Sequence, residues 1–170
     1  MPGDVVGQEF ESFVAANWRQ LLRAAWLLSG NWAAAEDLAQ SALAQVWAHW
    51  PRVRAADEPE AYVRRMLTHQ FLGQQRRRSS GELPTDELPE SRAPDGTSDV
   101  DRRMALTRAM AELPPQQRAA VVLRYFQDLS LEQTAVALGC SVGTAKSQTS
   151  RALAKLRRSA HLEALLQEQQ

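Results

Sequence analysis

The fold of this chain is decided by residues 129–158, which read LSLEQTAVALGCSVGTAKSQTSRALAKLRR. Ser130 and Gln133 match the Ser-x-x-Gln capping box that opens many helices, and an apolar stripe with helical spacing follows them. Gly139 is suited to end this helix, because glycine readily adopts the left-handed conformation of a helix stop. Ser141 can then cap a second helix. The stretch therefore predicts a helix-turn-helix.

The two faces of the second helix differ in chemistry. Its predicted inner face holds Val142, Ala145, Thr149, Leu153 and Leu156. Its outer face has no carboxylate between residues 141 and 158 and carries Thr144, Lys146, Ser147, Gln148, Ser150, Arg151 and Lys155. Cations neutralise phosphates, and short polar side chains bond to phosphates or base edges. This face indicates DNA binding, and a solvated basic helix without a ligand is the alternative.

Charge is distributed unevenly, although the net charge of the 170 residues is zero. Residues 1–78 hold nine basic and eight acidic side chains. Residues 79–101 hold one basic and seven acidic side chains, and residues 102–170 hold ten basic and five acidic side chains. The middle segment is also rich in Ser, Gly and Pro, so it predicts a flexible acidic linker. Its charge either keeps it extended or lets it mimic nucleic acid in a basic channel of a partner.

Several functional classes have no support in the sequence. The single cysteine, Cys140, is interpreted as a small packed residue in the turn, and no Cys/His cluster has the spacing of a zinc site. We find no nucleophile–base set and no phosphate loop, so we expect no enzymatic activity and no cofactor. No apolar run is long enough to cross a bilayer and no signal peptide is evident, which predicts a cytoplasmic protein.

Three apolar stripes with helical spacing predict an N-terminal bundle. They cover residues 8–28, 32–50 and 59–78, with Pro51 ending the second helix and a loop at Arg52–Glu58 before the third. The third helix carries Arg64, Arg65, Arg76, Arg77 and Arg78. These arginines indicate either a phosphate-binding track or a solvated helix end whose cations suit the helix dipole.

The helical pattern returns at residue 102 as short helices interrupted at Pro114. Residues 159–170 are expected to extend the last helix. No period-2 alternation occurs, so strands are not expected. The predicted fold class is all-α, with two small helical domains, an N-terminal helical bundle and a C-terminal helix-turn-helix domain of four helices. The predicted boundaries are 1–78 for the first domain, 79–101 for the flexible acidic linker and 102–170 for the second domain.

Several motifs resemble regions of bacterial RNA polymerase sigma factors. Five motifs are similar to sigma region 4: LPPQQR (113–118), VLRYF (122–126), LSLEQTA (129–135), LGCSVGTAKS (138–147) and SRA (150–152). The motif AEDLAQ (35–40), together with Val46-Trp47, resembles region 2.2. The stretch from PEAYVRR (59–65) through RRR (76–78) is similar to regions 2.3 and 2.4. Their order, and the acidic linker, resemble the extracytoplasmic-function (ECF, group 4) class, in a sigma-E-like actinobacterial subgroup.

The resemblance implies a promoter-specificity subunit that binds core RNA polymerase and works at the nucleoid. The β′ clamp helices would be contacted by Asp37, Leu38, Gln40 and Trp47. The −10 element would be bound by Arg52, Arg54, Arg64, Arg65, Arg76, Arg77 and Arg78. The −35 major groove would be bound by Thr144, Lys146, Ser147, Gln148, Arg151 and Lys155. The β flap would cover the apolar side of region 4, Arg118 and Arg124 would add backbone or structural contacts, and an anti-sigma factor is a further implied partner.

The sequence departs from the family pattern at three positions. His69 and Gly73 stand where many members have Asn and Asp, and Gln148 replaces a frequent arginine. Gly73 is expected to bend or fray its helix, and Gln148 to shift the −35 preference, because glutamine pairs with adenine where arginine prefers guanine. Two rival functions are a stand-alone helix-turn-helix regulator of palindromic operators and a sigma-like module that sequesters polymerase.

Overall fold

The structure is a computed structural model that describes residues 2–82 and 98–167. Within these ranges the helices are α1 (Pro2–Ser29), α2 (Trp32–Ala48), α3 (Trp50–Arg54), α4 (Pro59–Ser79), α5 (Ser98–Ala111), α6 (Pro115–Val121), a π-helical turn (Val122–Phe126), α7 (Leu131–Leu138), α8 (Val142–Arg157) and α9 (Ala160–Gln167). These described residues contain no strand, which confirms the all-α prediction. None of these helices combines the length and the apolar character that a membrane span needs.

The N-terminal half is a bundle in which α2 packs against both α1 and α4. Gly30 makes the turn between α1 and α2 with a left-handed φ of 87°. Asn31 caps α2, because its Oδ1 accepts a hydrogen bond from the Ala34 N–H at 2.8 Å. The gap between the first two predicted helices is therefore a turn, and a side-chain cap fixes where α2 begins.

The segment around Pro51 differs from the prediction. We expected Pro51 to end a helix and a loop to follow, but α2 already ends at Ala48 and Pro51 lies in the first turn of α3. Proline is tolerated there because the first N–H groups of a helix have no intrahelical acceptor. Arg52 and Arg54 consequently lie on a short helix.

Helix α4 runs without interruption from Pro59 to Ser79. It includes Gly73, so the helix does not fray at that residue. The three consecutive arginines lie in its last turn, where positive charge is favourable beside the negative end of the helix dipole.

The C-terminal half contains more helices than the four that were predicted. Helix α5 begins at Ser98, so the last residues assigned to the linker are helical, and residues 83–97 lie outside the described part of the chain. Asp99 and Asp101 lie in the first turn of α5, where carboxylates stabilise the helix through its dipole. The expectation that residues 159–170 extend the last helix was wrong, because α8 ends at Arg157 and α9 folds back against α5.

The helix-turn-helix is built as its capping residues predict. The Ser130 N–H donates to Gln133 Oε1 at 2.9 Å, and the Gln133 N–H donates to Ser130 Oγ at 3.1 Å. Gly139 ends α7 in the left-handed region with φ of 68°. Ser141 caps α8 by accepting from the Thr144 N–H at 3.1 Å. Both helices of the motif are therefore delimited by local hydrogen bonds.

The two halves of the chain pack against each other. Helix α1 contacts α5 and α6, and α4 contacts α6 and α7. A single cluster of buried apolar residues runs through both halves. Its largest fully buried side chains include Phe71, Leu28, Leu38, Leu67, Met110, Leu113 and Leu123. The surface along which the halves meet, formed by α1 and α4 on one side and by α5 to α7 on the other, is called the seam below.

Candidate nucleic-acid interface

Helix α8 is held in the C-terminal half by a face of small side chains. Ala145, Thr149 and Ala152 are buried, and the Thr149 hydroxyl donates to the Ala145 carbonyl at 2.8 Å. Small side chains allow close packing of α8 on α6 and α7. Val142 was predicted on this inner face but is 42% exposed, because it is the first residue of α8 and lies at the edge of the packed surface.

The outer face of α8 is open and cationic. The exposed members are Thr144, Lys146, Ser147, Arg151 and Lys155, and Gln148 is partly buried. Within the described ranges, none of the three cations forms an ion pair. The Thr144 hydroxyl accepts from Ser141 Oγ at 2.9 Å, so it is held in place at the N-terminal end of the face. An accessible row of unpaired cations and hydroxyls has the chemistry that phosphate and base-edge contacts require.

The arginines of α4 fall into two groups. Arg76 and Arg77 are exposed at the C-terminal end, and Arg78 is partly buried beside them. Arg64 and Arg65 are partly buried and lie toward the N-terminal end of α4, where α7 approaches that helix. The structure therefore does not present the predicted −10 arginines as one continuous track, because part of it lies at the seam.

His69 lies between these two groups of arginines on α4. Burial, followed by the nearby positive charges of Arg65 and Arg76, lowers the pKa of its imidazole below the ordinary value of 6.5. The backbone of Ala137 on α7 acts in the opposite direction and favours the protonated ring. The net shift favours a neutral histidine at this position.

Arg52 and Arg54 are exposed on α3. The guanidinium of Arg54 lies 2.6 Å from Glu9 Oε2 on α1, and both side chains remain substantially exposed. An exposed ion pair of this kind contributes little to stability. Arg54 can therefore exchange Glu9 for a phosphate at small cost, and Arg52 needs no such exchange.

The residues predicted to contact polymerase do not share one environment. Asp37 and Gln40 are exposed on α2. Trp47 is 48% exposed, and its ring packs on Phe10 with a centroid distance of 4.8 Å. Leu38 is only 1% exposed, so in this arrangement it supports the bundle from inside and presents no surface to a partner.

Two features were not identified from the sequence. Arg118 reaches across the seam, where its Nη1 donates to the Leu28 carbonyl of α1 at 2.6 Å, and an aromatic groove lies between α1 and α5. The groove has a volume of about 850 Å³ and is lined by Trp18, Leu22, Trp26, Trp32, Met104 and Leu106, with Arg19, Arg23 and Arg103 at its edge. All five tryptophans fall between residues 18 and 50, and this concentration is the signal that could have indicated an aromatic surface on the first half.

Comparisons with known proteins agree with this architecture. The family model "Sigma-70 region 2" matches residues 13–81, and "Sigma-70, region 4" matches residues 103–156. The RNA polymerase sigma-E factor of Streptomyces coelicolor is 40% identical over 149 residues, which are 88% of this chain and 84% of that protein. The ECF RNA polymerase sigma factor SigM of Mycobacterium tuberculosis is 33% identical over 150 residues, 88% of this chain and 76% of that protein.

Two solved structures of similar fold are complexes with a second protein. The sigma factor RpoE of Bartonella quintana, in complex with the anti-sigma factor NepR, matches with a TM-score of 0.71 and 27% identity, over 94% of this chain and 98% of that one. CnrH, in complex with the cytosolic domain of CnrY, matches in fold with a TM-score of 0.61 and 22% identity, over 93% of this chain and 90% of that one. From its sequence, its two matched regions and its fold, this chain belongs to the sigma-70 family, as a sigma factor of the extracytoplasmic-function class that directs RNA polymerase to promoters.

Proposed function

We propose that this sigma factor divides promoter recognition between its two halves. Helix α8 reads the −35 element through Thr144, Lys146, Ser147, Gln148, Arg151 and Lys155. Helices α3 and α4 bind the −10 element through Arg52, Arg54, Arg64, Arg65, Arg76, Arg77 and Arg78. The exposed surface of α2, with Asp37, Gln40 and Trp47, docks on core polymerase, and Leu38 supports that surface from the core.

The observation that carries the proposal is the outer face of α8. An ordinary surface helix mixes both signs of charge and gains from pairs of Glu and Lys four residues apart. Here the cations of the outer face have neither an acidic neighbour on the helix nor an ion-pair partner among the described residues. Phosphate contacts would position the helix, and Gln148 and the hydroxyls would read base edges.

Affinity for the promoter should come chiefly from the polymerase. The chain has no net charge, and its strongly acidic middle segment repels DNA. Polymerase holds both halves on one scaffold, which raises their effective concentration at the promoter. Unpaired bases captured near α4 would offset the unstacking cost of a few kcal/mol when the duplex opens. The protein alone is therefore expected to bind promoters poorly and the holoenzyme tightly.

The test is transcription with core polymerase on a genomic promoter library, with and without this protein. Arg151→Ala should lower transcription from the selected promoters about tenfold, because a phosphate or base contact of a cation contributes roughly 1–3 kcal/mol. Arg102→Ala is the matched control, since it removes the same charge from an exposed position on α5. Equal losses in the two variants, or nanomolar promoter binding without polymerase, would contradict the proposal.

We also infer that an anti-sigma factor regulates this protein in the cytoplasm, where polymerase and the nucleoid are found. The inference is supported by the likeness to a sigma factor solved with the anti-sigma factor NepR, at a TM-score of 0.71 over nearly the whole chain. The stand-alone regulator is the less favoured function, since both sigma regions match in order. Sigma factors are initiation factors rather than enzymes. No cofactor is proposed, and the described residues hold no cluster of His, Cys, Asp and Glu suited to a metal ion.

A further inference from the structure

The first turn of α8 leaves an apolar side chain in contact with solvent. Val142 is the first residue of α8 and is 42% exposed. Its Cα–Cβ bond is tilted toward the N-terminal end of the helix, as in every α-helix. In a helix-turn-helix, the N-terminal residues of the second helix are the ones that contact base edges. An apolar group therefore lies at the end of α8 that would meet the bases of the −35 element.

Local hydrogen bonds hold this turn in one conformation. The Ser141 hydroxyl accepts from the Thr144 N–H at 3.1 Å and donates to the Thr144 hydroxyl at 2.9 Å. Both hydroxyls are thus engaged within the turn. Valine, being β-branched, has one strongly preferred χ1 rotamer in a helix. Val142 consequently loses little conformational freedom when a ligand covers it, so the entropic cost of a contact there is small.

The next residue, Gly143, is not required to be glycine by its backbone or by its neighbours in the described part of the chain. It lies inside α8 and, unlike Gly139, does not have a left-handed backbone. A Cβ added at residue 143 would have the Ser141 hydroxyl as its nearest described neighbour, at an ordinary contact distance of 3.9 Å. Glycine lowers the stability of a helix relative to alanine, so the helix alone would favour alanine here. The missing side chain leaves space beside an exposed residue, which allows another molecule to approach the backbone closely.

The major groove of DNA contains a group that fits both features. Thymine presents a methyl group there, which apolar side chains contact. Because valine is short, such a contact requires the backbone of α8 to come close to the base edges, and the absence of a Cβ at residue 143 permits that approach. Cytosine presents an amino group instead. Covering that group with Val142 would leave its N–H without an acceptor, which is unfavourable.

We propose that Val142 reads the methyl group of one thymine in the −35 element, and that Gly143 lets the first turn of α8 approach the bases closely enough for this contact. The proposal rests on the assignment of α8 to the −35 element. Val142 is then a specificity-determining residue in addition to the polar and cationic side chains of the outer face. Those side chains bond to phosphates and to polar base edges, whereas Val142 distinguishes thymine from bases that lack the methyl group.

The first test replaces each thymine of the −35 element in turn by deoxyuridine, which lacks only the methyl group. Binding of the holoenzyme is measured by fluorescence anisotropy on a promoter that it transcribes. At one position, uracil should weaken wild-type binding about fourfold, the effect of leaving one methyl group unburied. Val142→Ala should bind the thymine promoter about fourfold more weakly and should no longer distinguish thymine from uracil at that position. Val5→Ala, which changes a 56% exposed valine on α1, is the matched control and should behave as the wild type does.

The second test examines the glycine. Gly143→Ala should leave the midpoint of urea denaturation unchanged or raise it. It should nevertheless weaken promoter binding by at least about fourfold, because a helix held away from the bases loses the contact of Val142. Gly7→Ala is the matched control, since it lies in α1 and a Cβ there meets no described atom within 4 Å. This control should affect denaturation similarly and leave promoter binding unchanged.

The proposal is overturned if no single uracil weakens wild-type binding, if Val142→Ala stays sensitive to the same uracil, or if Gly143→Ala binds the promoter as the wild type does. Arg151→Ala, measured on the same promoter, separates this failure from failure of the proposed function. If Arg151→Ala weakens binding while the uracil series has no effect, α8 reads the element without Val142. If Arg151→Ala binds as the wild type does, the assignment of α8 on which the inference rests is wrong.

Discussion

Replacing Trp47 and Leu38 by alanine in separate variants distinguishes a docking surface from the core beneath it. Trp47 is 48% exposed, and its ring lies tilted against that of Phe10 with the ring centroids 4.8 Å apart. Leu38 lies on the same helix but is only 1% exposed. The two side chains should therefore report on different free energies, that of polymerase binding for Trp47 and that of unfolding for Leu38.

The expected magnitudes follow from these environments. Leu38→Ala leaves a cavity in a packed bundle, so it should lower the free energy of unfolding by about 2–5 kcal/mol. Trp47→Ala loses the aromatic contact with Phe10, which is worth about 0.5–1.5 kcal/mol beyond the area buried. As a large, partly exposed aromatic side chain of the proposed docking surface, Trp47 should contribute about 2 kcal/mol or more to polymerase binding, so its loss should make the complex roughly 30-fold weaker.

The assays are urea denaturation of the free protein and titration of labelled core polymerase at a temperature where both variants are folded. Gln45→Ala serves as a control on an exposed position of the same helix. The reasoning is refuted if Trp47→Ala binds polymerase as well as the wild type does. It is equally refuted if folded Leu38→Ala loses polymerase affinity while its stability is unchanged.

Five further outcomes are expected. Gln148→Arg should move the −35 preference from adenine toward guanine at one base, measured by sequencing selected promoters. Gly73→Ala should raise the free energy of unfolding by about 1 kcal/mol, because a Cβ there meets only the end of a side chain at 3.9 Å. Gly139→Ala should lower the free energy of unfolding by about 1–2 kcal/mol, because residue 139 has a left-handed φ of 68°. The pKa of His69 is depressed on folding, so the unfolded chain binds more protons and stability should decrease as pH falls below 6.5, an effect absent from His69→Gln. Arg151→Ala should reduce the slope of log affinity against log salt for the holoenzyme by about 1, as expected for one lost phosphate contact.

The features predicted correctly are those that local sequence determines. The capping box of Ser130 and Gln133, the left-handed Gly139 and the cap at Ser141 each depend on residues within three positions of one another. Hydrogen bonds at such short range need no knowledge of the rest of the fold. The exposed outer face of α8 follows equally from helical periodicity once its ends are fixed.

The features that were missed depend on contacts between distant parts of the chain. Arg118 was expected to add backbone or structural contacts, but the sequence did not indicate that one of its acceptors, the Leu28 carbonyl, lies ninety residues away. The small side chain of Ala137 gives no sign by itself that another helix covers it. Separation of Arg64 and Arg65 from the other basic residues of α4 follows from the same packing, which periodicity along one helix cannot reveal.

The packing of the two halves also gives a physical reason for the different exposure of the two helices proposed to bind DNA. The outer face of α8 is accessible when the halves are packed together, and the end of α4 is accessible in part. A free protein can therefore still make electrostatic contacts with duplex DNA through α8, which are weak and independent of sequence. Contacts through Arg64 and Arg65 are hindered in this arrangement, because both side chains are partly buried where α7 approaches α4.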